Sequence, residues 1–149
     1  MTGRGMSTPP QRVLVVDDQA DFTRGLKRLI TGNFPEVEVL TANSGKEALK
    51  ILSRTPVHLM LTDLRMPDMD GQTLLGKALE RWPELSAVMF TAHGSIEAAV
   101  DALKAGAYDF LTKPVESEQI FRVVEKGLER GRLLNENRRL RELLERQGH

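Results

Sequence analysis

The sequence contains no cysteine, which excludes disulfide bonds, thiolate metal sites and a cysteine nucleophile. It carries no net charge, because 21 basic and 21 acidic residues cancel, so no overall field draws the chain to nucleic acid or to an anionic membrane. No apolar run approaches the roughly 20 residues that span a bilayer, and residues 1–10 lack the apolar stretch of a signal peptide. We therefore expect a cytoplasmic protein without direct contact to nucleic acid or membrane. Its 149 residues suffice for one domain and an appendage.

Short β-branched runs alternate with amphipathic stretches along most of the chain. Strands are predicted at residues 12–18, 37–42, 57–63, 86–92 and 107–112. Helices are predicted at residues 20–32, 44–52, 72–82 and 95–104, and from residue 117 almost to the end. Five successive β-α units require parallel pairing with right-handed crossovers, and the helices must then cover both faces of the sheet. The predicted fold class is therefore α/β, a doubly wound five-stranded parallel sheet.

Acidic and other reactive side chains stand where the predicted strands end. Asp17 and Asp18 end the first strand, Asp63 ends the third, Thr91 ends the fourth and Lys113 follows the fifth. Ligands of doubly wound folds bind outside the carboxyl ends of the strands, so these side chains should gather at one edge. Clustered carboxylates repel each other unless a counter-charge is present, and an oxygen-rich cluster suits Mg²⁺. Each motif alone could equally be a turn or a helix cap, whereas the full set predicts a site.

These residues resemble one family, the response-regulator receiver domains of two-component signalling, over about residues 11–130. The resemblance rests on the Asp17-Asp18 pair, on LTDLRMPDMDG around Asp63, on Thr91 and on LTKPV. It implies the flavodoxin-like strand order 2-1-3-4-5, here followed by an extended C-terminal helix. It also implies a phosphoacceptor switch, charged by a sensor histidine kinase, with self-catalysed phosphotransfer and autodephosphorylation rather than the turnover of an enzyme.

The resemblance assigns a role to each residue of the set. Asp63 matches the phosphoacceptor and a metal ligand, Asp18 matches the direct Mg²⁺ ligand, and Asp17 matches the acid that acts through water. The backbone carbonyl of Arg65, two residues past the acceptor, matches a further ligand of the metal. Lys113 matches the lysine that, with Mg²⁺, neutralises the phosphoryl oxygens.

A conformational switch is also implied by the resemblance. Thr91 matches the hydroxyl that is drawn inward by the new phosphoryl group, and Phe110 matches the aromatic residue that turns into the vacated space. A static core aromatic is the alternative for Phe110. Strand alternation predicts that Tyr108 shares the face of Phe110, although it is out of register for the role. His93 and Arg65 occupy positions that tune the dephosphorylation rate in the family.

The last predicted helix continues beyond the receiver region through residues 131–149, whereas residues 1–10 are predicted to be a disordered leader. A coiled-coil seam recurs at spacings of four, three and four: Leu133, Asn137, Leu140 and Leu144. Asparagine at such a position favours a parallel pair, and Glu136 and Arg141 could pair between chains, so a homodimer is predicted. A lone amphipathic helix is the alternative, because a coiled coil of two heptads is marginal.

The segment TAHGSIEAAVDALKAGAYDFLTKPV and the tail ENRRLRELL resemble the NtrC class of sigma-54-dependent activators. There a helical linker joins the receiver to an AAA+ ATPase and a DNA-binding domain, for which this chain has neither a phosphate-binding loop nor room. The chain is therefore predicted to be the regulatory fragment of such a protein, with a stand-alone dimeric receiver as the alternative. An Mg²⁺-dependent phosphohydrolase is disfavoured, because Arg65 stands where such enzymes carry a second acid and no cap-sized insertion exists. A degenerate receiver acting as a scaffold is disfavoured by the intact acid set.

Overall fold

The computed structural model describes residues 10–92 and 94–147. Strands and helices alternate along them in the order β1 (Arg12–Val16), α1 (Ala20–Asn33), β2 (Glu38–Ala42), α2 (Gly45–Arg54), β3 (Leu59–Asp63), α3 (Gly71–Arg81), β4 (Ser86–Thr91), α4 (Ile96–Lys104), β5 (Asp109–Thr112) and α5 (Ser117–Gln147). Residues 1–9 of the predicted leader, His93 and the last two residues of the predicted linker lie outside the described residues.

The described strands form one parallel sheet in the order β2-β1-β3-β4-β5. The doubly wound fold class and the strand order predicted from the sequence are thus confirmed. Every residue of β3 and β4 is buried, because helices cover both faces of the sheet, and this explains their nearly continuous apolar sequence. The edge strands β2 and β5 are only partly buried.

Alternate residues of each strand feed two separate apolar layers. Val13 and Val15 point to the layer that α1 and α5 cover, whereas Leu14 and Val16 point to the layer that α2, α3 and α4 cover. This division follows from the two-residue period of a strand. Side chains at the carboxyl ends of the strands lie beyond both layers. This end of the sheet, which we call the carboxyl edge, is therefore open to polar groups.

Three helices begin at side-chain caps close to the carboxyl edge. The side-chain oxygens of Ser44, Asp70 and Ser95 each accept a hydrogen bond from the backbone N–H three residues further on. The side chain of Glu47 accepts a hydrogen bond from the backbone N–H of Asn43 at 2.7 Å, one residue before the cap, in a variant of the capping box. The caps fix where the loops of the carboxyl edge end and the helices start.

The predicted placement of Tyr108 on the face of Phe110 is wrong. Tyr108 packs on the layer of α1 and α5, where its hydroxyl donates to the backbone carbonyl of Val123, whereas Phe110 packs on the opposite layer. Strand β5 begins only at Asp109, two residues later than the predicted strand, so Tyr108 lies in the bend before it. Side-chain alternation applies only within the strand.

Helix α5 has two parts with different surroundings. Its first part covers the sheet with buried side chains that include Ile120, Val124 and Leu128. The predicted linker continues the same helix without a break, and its leucines are largely exposed. Among the described residues, no helix is long and apolar enough to cross a bilayer.

Candidate functional site

Three carboxylates converge at the carboxyl edge of the sheet. One oxygen each of Asp17, Asp18 and Asp63 lies within 4.8 Å of the other two. Asp17 directly follows β1 and Asp63 ends β3, and these two strands are hydrogen-bonded neighbours. Asp17 is fully buried, Asp63 is 7% exposed and Asp18 is exposed. Two of the three acids are therefore held out of water beside each other.

Lys113 brings a cation to these acids from the far side of the sheet. Its ammonium nitrogen lies 2.8 Å from Oδ2 of Asp17 and 3.8 Å from Oδ2 of Asp63. Its backbone N–H donates to the carbonyl of Thr91 at 2.8 Å, and the peptide bond between Lys113 and Pro114 is cis. The structure thus brings together the lysine and the acids that the sequence predicted to meet.

The buried acid Asp17 has both side-chain oxygens engaged by the protein itself. Oδ1 accepts a hydrogen bond from the backbone N–H of Gln19 at 2.9 Å, and Oδ2 accepts from Lys113. Its backbone carbonyl accepts from the side-chain amide of Asn43 at 3.2 Å. Asp17 is therefore fixed in place, whereas the carboxylate of Asp18 reaches solvent.

The negative charge of Asp63 is not fully balanced by its neighbours, so we call this carboxylate under-compensated. Burial raises the pKa of Asp63, and the neighbouring charge of Asp17 raises it further. Lys113 and the backbone N–H groups of Leu64 and Arg65 act in the opposite direction without cancelling the rise. A hard cation among three carboxylate oxygens would relieve this repulsion, so the donor set fits Mg²⁺.

The hydroxyl and the aromatic residue of the predicted switch lie on adjoining strands. Thr91 ends β4, is buried, and pairs with Thr112 of β5. Phe110 stands two residues before Thr112 on β5 and is half-buried against the layer of α2, α3 and α4. Asp63 pairs with Phe90 of β4, so Thr91 lies one residue further toward the carboxyl edge.

The loop after Asp63 opens into a groove that sequence reasoning missed. A cavity of about 620 Å³ is lined by Arg65 and Met66 of this loop, by the N-cap Ser95 of α4, and by Glu97 and Asp101 within α4. Arg65 is exposed there, as suits a residue that meets incoming groups. No sequence pattern predicts the groove, because the loop and helix α4 are distant in the chain.

Sequence reasoning also missed Phe22 as a neighbour of Lys113. Its ring centroid lies 4.2 Å from the ammonium nitrogen. The sequence pattern assigns Phe22 to the apolar stripe of α1, and the structure shows it packed there. The signal that could have identified it is its place in the first turn of α1, only four residues after Asp18.

The predicted coiled-coil seam lies on the side of α5 that faces away from the domain. Leu133, Leu140 and Leu144 are 50%, 52% and 67% exposed. The opposite side of the helix carries Gly131, where an added Cβ would meet the carbonyl oxygen of His58 at 3.1 Å. Further along that side, Arg138 lies 3.7 Å from Glu84. At about 100° per residue the two sides are half a turn apart, so the seam is open to a partner.

Comparison with known proteins supports the picture that the geometry gives. The sequence matches the family described as response regulator receiver domain over residues 13–125. Response regulator protein PilR of Pseudomonas aeruginosa is 41% identical over 118 residues, which cover 79% of this chain and 26% of PilR. Transcriptional regulatory protein GlrR of Escherichia coli is 38% identical over 124 residues, covering 83% of this chain and 28% of GlrR. The chain thus spans about a quarter of the length of these curated relatives.

A solved structure is similar across the whole domain. The solution structure of the beryllofluoride-activated NtrC4 receiver domain dimer superposes with a TM-score of 0.75 at 32% identity, covering 80% of this chain and 98% of that one. The predicted resemblance to receivers of the NtrC class is thus confirmed. Residues 13–125 include the acids, Thr91 and Lys113. The chain belongs to the response regulator receiver domain family.

Proposed function

We propose that this chain is the phosphorylation switch of a two-component system, in which Asp63 accepts a phosphoryl group from a sensor histidine kinase. The observation that carries the proposal is the pairing of a buried, under-compensated carboxylate with an ammonium 3.8 Å away, inside a cluster of three acids. A carboxylate can attack phosphorus in line once the phosphoryl oxygens are neutralised and positioned. This chain supplies both requirements at the end of β3.

The chemistry needs little beyond these side chains. An oxygen of Asp63 forms a bond to phosphorus while the bond from phosphorus to the imidazole nitrogen of the kinase breaks, and the leaving imidazole takes up a proton. Lys113 offers its ammonium and Thr91 its hydroxyl to the phosphoryl oxygens. The acyl phosphate is labile: attack by water on phosphorus breaks its bond to the oxygen of Asp63, which returns to the carboxylate as inorganic phosphate leaves. The chain therefore acts as a switch with a finite lifetime.

The metal roles of the acids follow from their different surroundings. Asp18 reaches solvent and would be a direct Mg²⁺ ligand together with Asp63 and the backbone carbonyl of Arg65. Asp17 would act through water, because both of its oxygens already accept hydrogen bonds from the protein. When bound, Mg²⁺ would supply the positive charge that three carboxylates and a phosphoryl group require.

Phosphorylation is read out through Thr91 and Phe110. Inward movement of the Thr91 hydroxyl toward the phosphoryl group vacates space beside β5, and the ring of Phe110 turns into it. Phe110 has no hydroxyl, so its movement is driven by packing alone. We also assign control of the dephosphorylation rate to His93 and Arg65. A Phe110 that remains in the apolar layer after phosphorylation would make it a static core residue.

The open seam of α5 makes the chain a parallel homodimer. Fully burying a leucine contributes about 1.5–3 kcal/mol, and each chain offers Leu133, Leu140 and Leu144 together with Asn137 on the side facing away from the domain. The phosphorylation sites lie at the opposite edge of the sheet from the extension of α5 and so stay outside the coiled coil. In the longer protein, the linker passes the signal to an AAA+ ATPase and a DNA-binding domain.

A comparison of Asp63 with Asp68, which lies in the loop that follows it, tests the phosphoacceptor. The protein is incubated with Mg²⁺ and phosphoramidate, and its intact mass is recorded. We expect one added phosphoryl group in the wild type and in Asp68→Asn, but none in Asp63→Asn or after chelation of the metal. Asp68 is exposed with a φ of 71°, a conformation that asparagine accepts, so it is a matched control. Equal labelling of the Asp63→Asn variant would refute the proposal, and sustained turnover of unrelated phosphate esters would favour a phosphohydrolase.

Sedimentation tests the dimer. Truncation after Arg130, or the double change Leu140→Ala and Leu144→Ala, should give a monomer or a much weaker dimer. Arg139→Ala removes an exposed side chain between the seam positions and serves as the control. If the truncated and complete chains sediment alike at micromolar concentration, α5 ends in a lone linker helix and no coiled coil forms.

A further inference from the structure

Two aromatic rings enclose the ammonium group of Lys113. Its nitrogen lies 4.2 Å from the ring centroid of Phe22 and 5.3 Å from that of Phe90. The two rings are themselves in contact, with centroids 5.1 Å apart and planes inclined at 58°. The face of an aromatic ring carries negative electrostatic potential and attracts a cation.

The surroundings of Lys113 make these contacts significant. Its side chain is only 16% exposed, so few water molecules are available to solvate the ammonium. A lysine side chain has four flexible methylene groups and three rotatable donors, which makes its position hard to fix. Asp17 takes one donor at 2.8 Å, and the rings lie close to the same nitrogen. The rings favour the charge without adding a further anion to a site that already holds three carboxylates.

We propose that Phe22, supported by Phe90, is a positioning residue that holds the ammonium of Lys113 ready for the incoming phosphoryl group. The inference rests on the proposed function, because that function requires Lys113 to contact the phosphoryl group at Asp63. To reach the phosphoryl oxygens, the ammonium turns from Asp17 toward Asp63, 3.8 Å away. The ring faces stabilise the charge during this turn without a directional bond that must break. Preorganisation of this kind lowers the barrier because the cation need not be recruited from solvent.

Phe22 is the better of the two rings for an experiment. It lies in the first turn of α1 and is only partly buried, so its replacement leaves the sheet intact. Phe90 is fully buried in β4, and its removal would leave a cavity in the core. Phe34 is the matched control, because it ends α1 and packs against Phe121 with ring centroids 6.3 Å apart. It lies about 18 Å from Phe22 along the helix.

Stepwise fluorination of one ring separates its electrostatics from its packing. Mono-, di- and trifluorophenylalanine are placed at position 22 alone, and the rate of phosphorylation by phosphoramidate in Mg²⁺ is measured. Fluorine withdraws charge from the ring face with little change of shape. We expect the rate to fall with each added fluorine, to about three- to tenfold below the wild type. Phe22→Leu should be similarly slow, Phe22→Tyr should recover most of the rate, and the same series at Phe34 should have no effect. A rate independent of fluorination at position 22 would overturn the proposal.

A spectroscopic measurement keeps this test distinct from that of the proposed function. Protons above a ring face shift upfield, so the ε-methylene signal of Lys113 should lie upfield in the unphosphorylated wild type and return toward its ordinary position in Phe22→Leu. A wild type that shows this shift but takes up no phosphoryl group would refute the proposed function and leave the contact standing. A wild type that is phosphorylated but shows no upfield shift would remove the contact from which the inference starts.

Discussion

Polar side chains that are shielded from water have different partners at the two ends of the strands, the carboxyl edge and the amino edge where the strands begin. At the carboxyl edge, Asp17 and Asp63 are buried beside each other with Lys113 as their cation. At the amino edge, Nδ1 of His58 accepts the backbone N–H of Arg12 at 3.0 Å. Burial acts at both edges, yet it leaves repelling charges at one and a satisfied hydrogen bond at the other.

The pKa shifts express this difference. Burial, followed by the charge of Arg12, lowers the pKa of His58 and keeps its ring neutral as an acceptor. Burial, followed by the charge of Asp17, raises the pKa of Asp63, because its ionised form is poorly solvated and is repelled by a neighbouring carboxylate. The hydrogen bond at the amino edge therefore stabilises the fold. At the carboxyl edge, the repulsion between the acids destabilises the fold but suits the site to binding a cation and a phosphoryl group.

The largest expected effect concerns how closely the carboxyl edge is packed. A Cβ at Gly71 would lie 2.2 Å from the backbone carbonyl oxygen of Asp63, whereas one at Gly76 of the same helix meets nothing within 4 Å. Gly71→Ala should lower the free energy of unfolding by about 3 kcal/mol, and Gly76→Ala should raise it by about 0.5–1 kcal/mol. Urea denaturation of both variants checks this. Equal stabilities would mean that the loop after Asp63 yields easily.

Separate replacement of the two neighbouring acids should divide stability from metal binding. Asp17→Ala removes the partner of Lys113 and should cost about 2 kcal/mol of unfolding free energy, whereas Asp18→Ala removes an exposed carboxylate and should cost little. For Mg²⁺ affinity we expect the reverse order, because Asp18 is the proposed direct ligand. Denaturation in chelator and a Mg²⁺ titration provide the two measurements. A metal titration in which Asp17→Ala is the weaker binder would refute the ligand assignment.

Asp63→Asn should stabilise the metal-free protein in a pH-dependent way. Because the folded-state pKa of Asp63 is raised, the stability associated with it is fully present below its unfolded pKa and is lost as the pH rises through the folded value. The variant lacks this charge, so in chelator it should unfold at a higher urea concentration than the wild type at pH 7. The gain should shrink as the pH falls and Asp63 is protonated. A gain that stays constant across the pH series would assign the effect to packing.

The amino edge should show a smaller pH effect of opposite sign. The folded-state pKa of His58 is lowered, so its contribution to stability is present above its ordinary pKa of about 6.5 and is lost as the pH falls below it. His58→Gln retains an acceptor for Arg12 but cannot be protonated. We expect it to lose less stability than the wild type between pH 7 and pH 5. Denaturation at several pH values gives the free energy of unfolding of each protein. If that free energy falls by the same amount in both between pH 7 and pH 5, the pKa of His58 is not lowered by folding.

The apolar runs and strand-end acids were enough to predict a doubly wound parallel sheet and the set of reactive residues at its carboxyl edge, whereas the strand order was implied by the family resemblance. Residues 57–63 and 86–92 are mostly apolar, as is typical of a strand covered on both faces, and both contain buried strands. The prediction failed at Tyr108, because β5 begins only at Asp109 and Tyr108 lies in the bend before it, outside the regular alternation of the strand. Two residues of strand were enough to reverse the face.

The sequence by itself determined which residues meet at the carboxyl edge, because the direction of parallel strands brings their ends together wherever the helices lie. Only the tertiary structure decided how those residues divide the work. It engaged both oxygens of Asp17, left Asp18 in solvent and set Phe22 against Lys113. It also turned the seam of α5 away from the domain by packing Gly131 against His58. These outcomes depend on distances of a few ångströms between elements far apart in the chain, and such distances are fixed by packing rather than by any local pattern of residues.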